Sequence, residues 1–263
     1  MNKSLIYLCF YLVVILILPI GSLISYNTNL SISKLIHIIK EPIAIYAYKT
    51  TTITAITATL ISLLFGYLVA WTFSRYDFPY KQWFNFCINL SFATPSSVIG
   101  LSLVDIYHKN SYIGKILNQF NIKITFNNLG IIIAMIFVSY PIVIRNIEPT
   151  IQQIEKSLEE ASWSLGASKK QTFTYILIPL IIPSLISSAA LSLARSFGEY
   201  GAIIMISSNI PYKDLTCSVL IAQNLEQYDY QKASIISIVI ITISLLILII
   251  ANFLRYLIQQ NEY

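Results

Sequence analysis

Residues 4–33, 50–74, 82–104, 124–144, 171–194 and 233–254 carry no charged side chain and are dominated by apolar residues. A helix crosses the hydrocarbon core of a bilayer with about 20 such residues. The pattern predicts an all-α, polytopic membrane protein with six transmembrane helices and both termini on one side. The first run is longer than the apolar core of a signal peptide, roughly 7–15 residues. It also lacks a clear small-x-small cleavage site, so it reads as a retained span. Residues 203–207 and 215–222 form a possible seventh segment, read here as the end of span five followed by a re-entrant or surface loop. The chain divides into an N-terminal helix with its outer connection (1–47), a core (48–254) and a tail (255–263).

Composition agrees with a membrane location. Of 263 residues, 56% are hydrophobic and only 11% charged, against about 25% charged in soluble domains. The net charge of +5 suits an anionic lipid surface and an anionic substrate equally. Lys and Arg divide evenly between the loops of the two sides, so the positive-inside rule gives no orientation. Cys9, Cys87 and Cys217 are far apart, with no metal-ligand spacing and no CxxC. Cys9 and Cys87 lie in apolar runs and read as buried, inert thiols. His37 and His108 fall in polar connections. The fragment Gly114-Lys115-Ile116 lacks the upstream glycine and the hydroxyl of a phosphate-binding loop, so ATP hydrolysis is not expected of this chain. With no nucleophile–base pair, paired carboxylates or metal cluster, an intramembrane enzyme is disfavoured, and no cofactor or nucleic-acid partner is expected.

Between spans four and five lies a charged, small-residue segment of about 148–175. Residues 148–165 read as one acidic helix with Pro149 in its first turn. Gly166 suits a left-handed position just past that helix. Ser168 and Gln171 have capping-box spacing and start the next helix, which enters the membrane and is kinked by Pro179 and Pro183. Glu160-Ala161-Ser162 followed by Gly166, then Ile176-Leu177-Ile178-Pro179, resembles the Glu-Ala-Ala loop of ABC-transporter permeases. Ser162 stands where a second Ala is usual, and Ile178 where Leu is usual. The resemblance implies that Glu160, Ala161, Ser162, Gly166, Ile176 and Pro179 dock an ATPase subunit, and that this loop and the termini share the ATPase side.

Polar groups also fall inside the spans. Arg195 and Glu199 sit at i and i+4, where they neutralise each other in a medium that penalises a lone charge by about 2.5–3.5 kcal/mol. They are either a packing tie, a pair facing a path for an anion, or residues of the membrane interface. Gly198 and Gly201 beside them would admit a neighbouring helix closely. In span three, Pro95 frees a backbone carbonyl, and Ser96 and Ser97 serve either packing or a passing oxyanion. Thr50, Thr54 and Thr57 share a face that suits helix–helix contact.

A narrower resemblance rests on these same residues. Arg195-Ser196-Phe197-Gly198-Glu199-Tyr200-Gly201 is similar to a segment of sulfate and molybdate permeases, as is Thr94-Pro95-Ser96-Ser97-Val98-Ile99-Gly100-Leu101. The Leu225-Glu226-Gln227-Tyr228-Asp229-Tyr230 loop favours the T-type subunit of the sulfate/thiosulfate branch. The resemblance implies a type I ABC importer permease fold and translocation of sulfate or thiosulfate by alternating access; molybdate or tungstate is the alternative. It implies a W-type sister permease, a dimer of ATPase subunits, a sulfate-binding protein and contact with membrane lipid. It also implies a plastid (chloroplast) inner envelope or a bacterial inner membrane. A proton-coupled secondary transporter using Arg195 and Glu199 would need no such loop and commonly shows internal repeats, which are not seen.

Overall fold

The structure is a computed structural model that describes residues 13–28 and 30–260, together with Tyr7, Phe10 and Tyr11. Among the described residues every regular element is helical. A π-helical turn, Val13–Ile17, leads into α1 (Leu18–Ser25). The short α2 (Ile32–Ile39) follows, with the Ser31 hydroxyl accepting from the Lys34 N–H. The first expected span, 4–33, therefore lies partly outside the described residues, and the helix described within it, α1, ends at Ser25. His37 sits on an exposed face of α2 instead of in an irregular connection.

The core is built on two long helices, α3 (Pro42–Arg75) and α7 (Asn128–Gln153). They run parallel: the Ser62 and Ser139 hydroxyls meet at 3.1 Å, and Ser74 Oγ donates to the Glu148 carbonyl at 3.2 Å. Small residues allow this approach. Ala44, Ala47, Ala55, Ala58 and Ala70 line the buried face of α3, and a Cβ on Gly66 would lie 2.7 Å from Val143. Without a hydrophobic force between helices in lipid, such close packing and hydroxyl contacts carry the association. At 34 residues, α3 is about 51 Å long, well beyond the roughly 30 Å hydrocarbon core. The helix therefore extends beyond the hydrocarbon core.

Span three differs from the expectation of a single helix. Residues 82–104 are divided between α4 (Lys81–Ala93) and α5 (Ser96–Tyr107), which meet at 112°. The cause is local. Pro95 has no N–H to continue α4, and its ring pushes Thr94 out of the helical region; Thr94 is extended. The short α6 (Tyr112–Gln119) then returns the chain to α7.

After α7 come α8 (Lys156–Ser164), α9 (Lys169–Thr172), a π-helical turn (Phe173–Leu177) and α10 (Ile178–Phe197). The stretch from α9 to the end of α10 is one apolar span, and neither Pro179 nor Pro183 breaks it; the irregularity is taken up by the π turn. The short α11 (Gly201–Ile206) and α12 (Cys217–Glu226) fold back into the core. They correspond to the segment expected as a re-entrant or surface loop, and Ala202, Ile203, Ile206, Val219 and Leu220 are buried there. The last helix, α13 (Tyr230–Gln260), is 22% buried over its apolar window, against 56% for α7. So α7 is the inner strut, while most of α13 is left for lipid or a partner.

Among the described residues four helices are long and apolar enough to cross a membrane, and five spans result if the bent α4–α5 pair counts as one. The hydroxyl stripe is also revised. Thr54 and Thr57 bond to carbonyls of their own helix. The hydroxyls that reach other elements are Thr51, which accepts from the Cys217 N–H, and Thr59, which meets Ser192. Cys87, expected to be buried, is exposed on α4, and Cys9 lies outside the described residues; among those described, Cys217 is the buried thiol.

Candidate functional site

The inner end of the molecule is a helix–turn–helix hung beneath the bundle. The expected single helix over 148–165 is two: α7 continues through Pro149 to Gln153, and the chain turns at Ile154 before α8 begins. Ile154 is extended and 7% exposed, packed with Ile147, Ile151 and Leu177. Burying that side chain outweighs continuing the helix. The end of α8 is closed by a complete Schellman motif: the Ala167 N–H donates to the Ser162 carbonyl, and the Gly166 N–H donates to the Trp163 carbonyl. Gly166 has φ of +89° with open space around it, so the backbone conformation selects the glycine. Ser168 and Gln171 form the expected capping box.

Ser162, where the family pattern has alanine, is buried. Its hydroxyl meets Thr172 Oγ1 at 2.7 Å and donates to the Glu159 carbonyl, which pins α8 against α9. Arg75 at the end of α3 holds α8 from above. Its guanidinium lies 3.0 Å from Glu159 and 5.4 Å from the centre of the Trp71 ring, and Trp71 in turn packs edge-on to Phe173. The Arg75–Glu159 contact is an ion pair without an aligned hydrogen bond, so Nε and Nη2 of Arg75 keep donors to spare. Arg75 and Glu159 also border a groove of about 320 Å³, with Trp71, Tyr76, Lys156, Glu160 and Trp163. Glu160 and Ala161 are exposed on α8, while Ile176 and Pro179 are half-buried at the membrane entry. Leu165 is 89% exposed at the tip, beside exposed Trp163 and Tyr175. An apolar side chain so placed has no partner within this chain.

A second polar cluster ties α4 to α7 near the same end. Arg145 donates to Asn85 and Asn89 and pairs with Glu148 at 3.1 Å. Sequence reading passed over both this cluster and Arg75. The signals were present: Asn85 and Asn89 lie at i and i+4, and Arg145 and Glu148 at i and i+3. Their convergence is tertiary.

At the other end of α10 the expected Arg195–Glu199 pair forms at 3.0 Å, but α10 stops at Phe197, so Glu199 lies beyond the helix. Glu199 is 1% exposed, and its other oxygen accepts the Ala202 N–H at 3.0 Å; its carbonyl accepts from Ser218 Oγ. One carboxylate therefore neutralises Arg195 and caps α11. The Arg195 side chain is 42% exposed. Gly201 sits against the start of α5, where a Cβ would lie 2.2 Å from Ser96 Oγ and 3.0 Å from the Ser97 N. Gly198 does not serve as expected: a Cβ there meets only carbonyls of its own helix at 3.8 and 3.9 Å. Ser96 is half-buried at this junction and Ser97 is exposed. The two broken helices, α5 and α11, thus pack together, sharing Ile99, Leu103, Ala202 and Ile206.

Known proteins resemble this chain in sequence and in shape. A family model described as binding-protein-dependent transport system inner membrane component matches residues 62–261. A Mesostigma viride protein named probable sulfate transport system permease protein cysT is 47% identical over 95% of this chain and 93% of its own length. A Synechocystis protein named sulfate transport system permease protein CysT is 42% identical over 93% and 86%. In shape, the chain matches one from a bacterial alginate ABC transporter with a TM-score of 0.76 at 18% identity, over 95% of this chain and 91% of that one. It matches a chain of the MetNI methionine ABC transporter with a TM-score of 0.61 at 15% identity, over 87% and 99%. These two establish the fold.

Proposed function

The chain belongs to the family of binding-protein-dependent transport system inner membrane components, and we propose that it is the permease subunit of an ATP-driven sulfate importer. Relatives bearing the sulfate-permease name across nearly the whole chain support the substrate. The observation that carries the mechanism is α8: a short, capped helix outside the bundle, with Glu160, Trp163 and Leu165 turned to water. It is the surface for an ATPase subunit, which supplies the hydrolysis this chain does not. Glu160 and Ala161 meet the ATPase. Ser162 and Gly166 shape the helix and its turn, and Ile176 and Pro179 set its entry into the membrane.

The complete importer is this chain paired with a W-type sister permease, two ATPase subunits and a sulfate-binding protein, in a plastid inner envelope or a bacterial inner membrane. A dianion cannot cross hydrocarbon unaided. Arg195, held by buried Glu199, faces the path between the two permeases, with Ser96, Ser97 and Gly201 forming the junction beside it. ATP binding moves α8, and the ion pair between Arg75 and Glu159 passes that motion to α3. Alternating access follows when the two permeases separate at their outer ends.

The test is ATP-dependent uptake of labelled sulfate into vesicles carrying the complete importer, with and without Glu160→Lys. Uptake that needs ATP and fails in the variant through lost ATPase association supports the proposal. Uptake driven by a proton gradient without ATP overturns it. ATP-driven uptake of molybdate and not sulfate keeps the mechanism and changes the substrate.

A further inference from the structure

The end of the molecule opposite α8 holds a bowl of about 580 Å³. Its walls come from the end of α5, from α6, from the link into α7 and from the loop after α11. Lys109, Lys123 and Lys213 line it, together with His108, Asn118 and Thr125, and no carboxylate does. None of the three lysines enters an ion pair among the described residues. Asp214, next to Lys213, is fully buried and turned to the Ser208 N–H, the Ser208 hydroxyl and the Ile210 N–H. Asp105 borders the neighbouring groove with His108. The His108 ring accepts the Asn110 N–H at Nδ1, which leaves Nε2 as its donor.

The bowl is preformed. The Phe126 N–H donates to the Ile206 carbonyl at 2.7 Å, which fixes the 122–126 wall to α11. Tyr46 Oη donates to the Lys213 carbonyl at 2.9 Å and anchors the opposite wall to α3. The Ser111 hydroxyl caps α6 by accepting from Gly114 N. Three exposed lysines on one concavity give it a positive potential, which low-dielectric walls concentrate outward. A water occupies about 30 Å³ of liquid, so the bowl has room for a small oxyanion with much of its hydration shell.

We propose that this bowl is an outer anion subsite that takes a small divalent oxyanion of the sulfate class at the mouth of the path. The proposal rests on the permease reading above, and it adds a place for the anion before Arg195.

The test uses the complete purified importer without its binding protein. Lys123→Cys is introduced in a Cys87→Ser background and labelled with an anionic thiol reagent. Sodium sulfate should slow the labelling at concentrations where sodium chloride of equal ionic strength does not. Adding Lys109→Gln and Lys213→Gln should raise the protecting sulfate concentration at least fivefold, whereas Lys34→Gln with Lys40→Gln should leave it unchanged. Equal protection by chloride would reduce the effect to general screening and overturn the subsite, as would no protection. In ATP-driven uptake with saturating loaded binding protein, Lys109→Gln, Lys123→Gln and Lys213→Gln together should slow sulfate entry several-fold while the binding protein still co-sediments. Loss of co-sedimentation would make the bowl a docking surface and overturn the subsite. Absence of ATP-driven sulfate uptake in the unaltered importer would defeat the permease reading and leave the protection result to be judged alone.

Discussion

The span from α9 through α10 ends in two different ways. At its inner end, the turn from α8 is closed by neighbours in sequence: the Schellman bonds at Gly166 and the Ser168–Gln171 box span only a few residues each. At its outer end, the stop at Phe197 is held by near neighbours and also from a distance. Glu199 joins Arg195 to the start of α11, Ser218 reaches it from α12, and Gly201 rests on Ser96. The inner end is exposed at its tip, and its turn is closed by bonds between near neighbours in sequence. The outer end lies within packed helices, where polar groups need partners wherever the fold brings them.

Glu160→Lys breaks the comparison most sharply. Glu160 is exposed, so the variant should unfold at an unchanged temperature in detergent while ATP-coupled sulfate uptake falls at least tenfold and ATPase co-purification is lost. Glu199→Ala should do the reverse, losing stability first. Removing one partner of a buried pair costs about 3–5 kcal/mol; because Arg195 is partly exposed, about 2–3 kcal/mol is expected here, read as a lowered unfolding temperature with ATPase association retained. Retained stability in Glu199→Ala would mean that the pair is solvated and does not hold the break.

Gly201→Ala should cost about 1–3 kcal/mol by overpacking. Combining it with Ser96→Gly should recover part of that loss, since the Ser96 hydroxyl is the nearest atom and the Ser97 backbone remains. Additive single effects would refute the contact. Gly166→Ala should cost about 1 kcal/mol, because only the left-handed conformation is penalised there. Ser162→Ala, which restores the usual family residue, should cost at most about 1 kcal/mol for its bond to Thr172. Thermal unfolding of the purified chain measures all three.

Much of the inner end was legible in the sequence because its signals are local. A glycine after a helix, a serine three residues before a glutamine and a short run of small residues can be read along the chain. The error at 148–165 has a physical source. Pro149 looked like a helix start, but α7 passes through it, and the turn comes where Ile154 finds a buried place. Arg75 and the Arg145 cluster were not read as site residues, because Glu159 lies 84 positions from Arg75 and Asn89 lies 56 from Arg145. Gly198 and Gly201 look alike in sequence, yet only Gly201 meets a neighbouring helix.

By itself the sequence determined that this chain is a helical membrane protein with a polar, capped turn between two helices in the segment joining its fourth and fifth apolar runs. Long uncharged runs must span lipid, and capping and turn chemistry act over one helical turn. Only the tertiary structure decided that α3 and α7 run in parallel contact and that the third run bends into two half-helices, of which α5 packs on α11. It alone decided that Glu199 serves Arg195 and a helix start together, and that three distant lysines share one bowl. Those outcomes depend on which surfaces fit closely enough to exclude lipid and satisfy buried polar groups, and that depends on the whole fold.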